Sequence, residues 1–345
     1  MSAPLRPPAS TGRAESGLSA PWNAALVGGL LLLAVVAPLA LYPVFLMQAL
    51  CFALFACAFN LLIGYVGLLS FGHAAFMGSA AYITAHTVKV WGFPPELGIL
   101  AGVAVAAVLG TAFGWLAIRS HGIYFAMVTL ALAQMIYFIA VQAKFTGGED
   151  GIQAVPRGHL FGVIDLNQPL VMYYFVLAVF LLGFAILYRT VHSPFGQVLK
   201  AIRENEPRAT SLGYNTDRYK LLAFILSATL AGLAGSTKSL VFQLASLTDV
   251  EWQMSGQVVL MTLVGGLGTV FGPVVGAFIY VAMENYLAQY GSWVTVIQGV
   301  IFVVCVLVFR RGVVGEIIHW TRRRRGAARS GELPEEAVAR PAPGE

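Results

Sequence analysis

An all-α protein that crosses a membrane about ten times is the fold the sequence predicts, and three observations predict it. Hydrophobic residues make up 58% of the 345 and charged residues only 11%. Several runs exceed about 18 residues without a charge, enough helix to cross a ~30 Å hydrocarbon core. The charges are also gathered: eight of the 21 Lys and Arg lie from Arg310 onward, with Arg322 to Arg325 in one block, and a polar island from Ser193 to Lys220 interrupts the apolar sequence. Finally, Trp22, Trp91, Trp115, Trp252, Trp293 and Trp320 all fall at or near ends of apolar runs, where interfacial anchors belong. A net charge of +5 would suggest nucleic acid in a soluble chain. Here the basic residues read as cytoplasmic-side anchors facing membrane lipid, and no nucleic-acid partner is expected.

In chain order, residues 1–22 are rich in Pro, Ala and Ser and read as a disordered cytoplasmic tail, not a signal peptide. A transmembrane domain follows over 23–311. Ala24 to Tyr42 is the first span and turns at Pro43 into a second, Val44 to Ile63. Gly64 to Gly78 is a glycine-broken stretch, tolerable in a bilayer only where other helices or a water-filled path satisfy the freed backbone. Ala74 to Val88, Leu97 to Ile118, Tyr124 to Gln142 and Leu170 to Tyr188 are the next spans, with Ala143 to Pro169 as the outer loop. Leu221 to Val241 leaves the island. Three spans from there would strand the basic tail outside. The glycines at 265, 266 and 268 supply a further break, giving spans near Glu251 to Val264, Thr269 to Leu287 and Trp293 to Phe309. The total is ten crossings with both termini cytoplasmic, and 312–345 is a basic, Pro-rich cytoplasmic tail. A shift of 200 residues lays Phe271-Gly272 on Phe71-Gly72, a hint of two related halves.

The island, taken as 189–219, reads as folded. With Arg189 it carries Lys200, Arg203, Arg208 and Arg218, with Lys220 directly after it, against Glu204, Glu206 and Asp217, which places it in the cytoplasm. Ser193-Pro194 forms an N-cap with proline at the first helical position, and Asn205-Glu206-Pro207 restarts a second short helix. Pro207 is tolerable only in a first turn, so it fixes where that helix begins, and Gly213 ends it in a left-handed cap.

Catalytic chemistry finds little support. Ser70 and His73, three apart, are the minimum of an intramembrane hydrolase, but no GxSxG or oxyanion element accompanies them. GLAGSTKS at Gly232 to Ser239 has Thr237 where the phosphate-binding pattern requires glycine, so energy from ATP must come from a partner. Cys51, Cys57 and Cys305 lie inside apolar segments, and neither a metal site nor a disulfide framework is indicated. An ion-coupled carrier needs ionisable groups buried in its spans. Glu284 and Lys238 lie near span ends, where snorkelling accounts for them. Asn60, His73, Gln134 and Gln257 are polar residues that face either a pathway or a neighbouring helix.

Three long stretches carry a family resemblance: Asn60 to Tyr82, Gly196 to Phe224 with Ser227 to Gly235 following it, and Leu263 to Ala277. Over roughly Phe45 to Arg311 the chain resembles the LivM-type permeases of branched-chain amino acid ABC importers. The resemblance implies a ten-helix type II importer fold in the bacterial inner membrane, with the island as a coupling loop docked on an ATPase. It implies two ATP-binding cassette ATPase subunits, a second LivH-type permease and a periplasmic solute-binding protein as partners. It implies no cofactor of the chain's own, ATP being bound by partner subunits. Carried over, Arg203, Glu204, Asn205, Glu206, Arg208 and Gly213 form the ATPase-coupling segment. Asn60, Ser70, Gly72, His73, Gln134, Gly266 and Gly272 are the expected lining of the translocation pathway.

Overall fold

The computed structural model describes residues 34–39, 41–308 and 312–316. Residues up to Tyr42 form a separate unit in which 34–39 are helical. The expected first span therefore lies largely, and both expected tails almost wholly, outside the described residues. The remaining nine expected spans are all helices.

Helix α1 (Pro43–Asn60) continues as a π-helical turn over Leu61–Val66. It is followed by α2 (His73–Lys89), α3 (Pro95–Ala117), α4 (Ile123–Gln142) and α5 (Pro169–His192). The island forms α6 (Pro194–Glu204) and α7 (Glu206–Ser211), and α8 (Thr216–Phe242) leaves it. Then come α9 (Trp252–Gly265), α10 (Gly272–Leu287) and α11 (Val294–Val308). Five segments, Pro43–Val66, α3, α4, α5 and α8, are long and apolar enough to cross a membrane unaided. The 14 residues of α9 rise only about 21 Å, so its crossing is completed by the glycine break beyond it.

At the centre lies α1, 94% buried across its most apolar window, against α5, α8 and α10. Helices α2, α3 and α8 pack into one another through small residues. A Cβ on Gly235 of α8 would lie 2.0 Å from the Met77 carbonyl of α2, so only glycine permits that approach. The hairpin of α9 and α10 uses the same device: a Cβ on Gly276 of α10 would fall 1.8 Å from the Met261 carbonyl of α9. Without a hydrophobic driving force between helices in lipid, such close approach is how the spans hold together.

Helix α6 meets the first glycine break through Arg203 and Gly64, and Asn60 joins that break to the second at Gly268 and Thr269, so all three share one end of the molecule, here termed the island end. The loop from 143 to 168 lies at the far end. It contains a small antiparallel hairpin of β1 (His159–Leu160) and β2 (Ile164–Asp165), an addition to the expected all-α fold. It is strapped to the end of α8: Ile152 and Ala245 form a β-bridge, and Arg157 donates to the carbonyls of Leu240 at 3.3 Å and Val241 at 2.7 Å.

Candidate functional site

The island folds as its residues require. Ser193 accepts from the Gly196 amide at 3.4 Å with Pro194 opening α6, and Leu199 and Ile202 turn the apolar face of that helix inward. Asn205 Oδ1 accepts from the Arg208 amide at 3.0 Å, capping α7, and Pro207 sits in its first turn. Gly213, at φ +90°, closes the segment in the left-handed region as expected. Phe195 stacks on Tyr219 at 5.5 Å, and Glu206 pairs with Lys220 of α8, a lysine that is 3% exposed. Glu204 and Arg208 are left exposed on the surface of the island.

The island rests on the two glycine breaks, which meet each other. In the first, Gly67 and Leu68 both donate to the Leu62 carbonyl, at 2.9 and 3.2 Å, closing the π-turn. The amides beyond it find side chains on other elements: Phe71 donates to Thr129 at 3.1 Å and Ala74 to Ser255 at 2.9 Å. Gly72, at the start of α2, donates to Ser70 Oγ at 3.2 Å. The second break repeats the pattern, with the Gly272 amide donating to Thr269 Oγ1 at 3.1 Å. This equivalence supports the two-halves reading, since in each break a nearby hydroxyl caps the glycine that opens the outgoing helix. Gly266, at φ +120°, makes the turn between α9 and that cap.

Asn60 joins the breaks. Its Nδ2 donates to the Thr269 carbonyl at 2.9 Å and its Oδ1 accepts from the Gly268 amide at 3.0 Å, so both halves of one buried amide are spent on irregular backbone. Arg203 of α6 donates to the Gly64 carbonyl in the π-turn.

The remaining expected residues are placed differently from one another. His73 is fully buried, its Nε2 2.8 Å from Ser227 Oγ, and Ser227 in turn donates to the Ala58 carbonyl at 2.5 Å. That donation commits the serine proton, so His73 Nε2 is the donor toward it. The Phe59, Phe76 and Phe224 rings enclose the imidazole, with centroids 5.0 to 6.3 Å away. The His73 ring is thus joined to Ser227 and not to the Ser70 hydroxyl, and the pairing a hydrolase would need is not made. Gln134 is half-buried on α4.

One reading changes. Lys238 does not snorkel: its side chain is 14% exposed and pairs with Asp249, 3% exposed, in the 3₁₀ turn Leu247–Asp249. The rings of Phe52 and Phe242 lie 5.5 and 5.8 Å from the ammonium. Glu284 accepts from Gln48 Nε2 at 3.3 Å. Asp249, absent from the sequence reading, neutralises the lysine. Among the described residues no group of His, Cys, Asp or Glu is arranged to hold a metal.

Comparison with known proteins places the chain. Residues 42–308 match the family model described as branched-chain amino acid transport system / permease component. The chain is 25% identical over 298 residues to the high-affinity branched-chain amino acid transport system permease protein LivM of Escherichia coli, covering 78% of this chain and 69% of that one. It is 23% identical to LivH of the same organism, covering 76% and 91%, and 27% identical to its ribose import permease protein RbsC, covering 62% and 70%. It spans about two thirds of the length of the LivM proteins it matches. No solved structure matches. The chain, a multi-pass helical protein with two glycine breaks beneath a folded polar island, belongs to the permease-component family of branched-chain amino acid transport systems.

Proposed function

We propose that this chain is one membrane-spanning half of an ABC importer that moves a branched-chain amino acid inward, the island end facing the cytoplasm. The observation that carries the reading is the island itself. Two capped helices are fixed to the membrane domain by Leu199, Ile202 and the Glu206–Lys220 pair, yet they leave Glu204 and Arg208 free for another protein. A connector between spans needs no such construction.

Under this reading the chain binds no ATP. Two ATPase subunits supply the energy, a LivH-type permease forms the other half of the pathway, and an extracytoplasmic binding protein delivers the solute. Likeness to LivM and LivH favours leucine, isoleucine and valine, while likeness to a ribose permease shows that sequence relatedness extends across solutes. The ion-coupled alternative is disfavoured because Asp249 is already neutralised by Lys238.

The test begins by tagging the chain, extracting it gently from native membranes and identifying what co-purifies. Two ATPase subunits and a second permease are expected, and the accompanying binding protein can be titrated with amino acids to name the solute. In the assembled complex Glu204→Arg should abolish solute-stimulated ATP hydrolysis while the chain stays folded. Normal stimulation in that variant would remove the island from the coupling route.

A further inference from the structure

Resting on the importer reading, the geometry points to Arg203 as the positioning residue through which the island moves both glycine breaks. Arg203 occupies the last turn of α6 beside Glu204, but its guanidinium is engaged within the chain. Its acceptor is unusual. The amides of Gly67 and Leu68 both turn back to Leu62, and among the described residues no backbone amide donates to the Gly64 carbonyl. The break orphans that oxygen, and Arg203 supplies its donor.

The same side chain touches the second break. A Cβ at Gly67, φ +85°, would lie 3.1 Å from Arg203 Cγ, and one at Gly268, φ +73°, would lie 3.1 Å from Arg203 Nη1. Both positions are held as glycine by conformation and leave the room the arginine fills. Asn60 then ties Gly268 and Thr269 to α1. One guanidinium on α6 therefore contacts the ends of α1 and of α9 to α10 together, while Arg203, like Glu204 and Arg208, stays exposed over the rest of its surface. A push on the exposed pair is delivered to both breaks through Arg203. The bond it makes is to a carbonyl of irregular backbone, which has no competing helical partner and re-forms at low cost in a second arrangement.

The test uses the complete complex with its binding protein and solute. Arg203→Ala should retain both ATPase subunits on purification and keep the KM for ATP, while the ratio of solute-stimulated to unstimulated hydrolysis falls about tenfold. Arg203→Lys restores a cation and one donor without the planar fork, and should recover part of that ratio. Asn60→Ala should reproduce the Arg203→Ala behaviour from the membrane side. Loss of the ATPase subunits from Arg203→Ala and Arg203→Lys alike would make Arg203 a docking contact and overturn the inference, as would full stimulation in Arg203→Ala. An unsubstituted chain that recovers no ATPase would instead bring down the importer reading, and this inference with it.

Discussion

The two ends of α8 each bury a lysine, about 27 Å apart along the helix, and the two are held differently. At the island end Lys220 is the buried partner, its side chain 4% exposed, while Glu206 is 34% exposed. At the far end the carboxylate is the buried one: Asp249 is 3% exposed and Lys238 14%. The island pair thus joins the membrane domain to a helix that water reaches, and the far pair closes a turn onto the domain's interior. The surroundings follow the same division. Far-end contacts strap the 143–168 loop to α8 through Arg157 and a β-bridge. Island-end contacts go to carbonyls and amides of two broken helices. The far end is tied to neighbouring turns, and the island end to backbone that both helix breaks leave irregular.

The largest expected effect separates these pairs. Lys238→Ala leaves the Asp249 carboxylate, 3% exposed, without its cation, and removing one partner of a buried pair costs about 3–5 kcal/mol. Lys220→Ala instead leaves the Glu206 carboxylate, 34% exposed and reachable by water, and the loss is on the order of 1 kcal/mol. Apparent melting temperatures of the purified chain in detergent should therefore rank wild type, then Lys220→Ala, then Lys238→Ala well below. Equal losses would erase the distinction between the ends. The double change Lys238→Met with Asp249→Leu, which leaves no unpaired charge, should regain much of the lost stability.

A pair of glycines sharpens the comparison at smaller cost. Gly268 and Gly92 both have positive φ, +73° and +68°, so alanine at either carries about 1–2 kcal/mol of backbone strain. Gly92 has open space around its missing Cβ, whereas Gly268 faces Arg203 and the Gly64 carbonyl at 3.1 Å. Gly268→Ala should therefore depress solute-stimulated hydrolysis as well as stability, and Gly92→Ala stability alone. Measuring both properties on both variants checks this, and equal stimulation would mean that the breaks need not move.

Much of this was legible from the residues because its causes are local. Apolar runs near bilayer length marked the spans, and Ser193-Pro194, Asn205 and Gly213 marked the island helices through caps that act within four residues. Asp249 was not legible. Its meeting with Lys238 depends on the turn at Gln243, which takes the left-handed conformation at φ +54° without being glycine or asparagine. His73 was legible as a buried polar residue, but its partner Ser227 lies 154 positions away, a pairing only the fold creates. Asn60 was singled out for its polarity at membrane depth. Its work is to bind the second break, 208 and 209 positions distant.

The smallest effect bears on what the island's polar residues are for. Asn205 is an expected ATPase-coupling residue by family resemblance, yet its side-chain oxygen already caps α7 through the Arg208 amide. A cap and a docking contact respond differently to conservative change. Asn205→Ala removes the cap, costs about 1 kcal/mol and should loosen α7, lowering stimulated hydrolysis modestly. Asn205→Ser keeps an oxygen at capping distance but shortens the side chain and deletes its amide donor. If the residue works by holding α7 so that Arg208 and Glu204 are presented correctly, Asn205→Ser should couple like the wild type and Asn205→Ala should not. If serine and alanine lose stimulation equally, the amide itself touches the ATPase, and the island end carries a direct contact where the far end carries only structure.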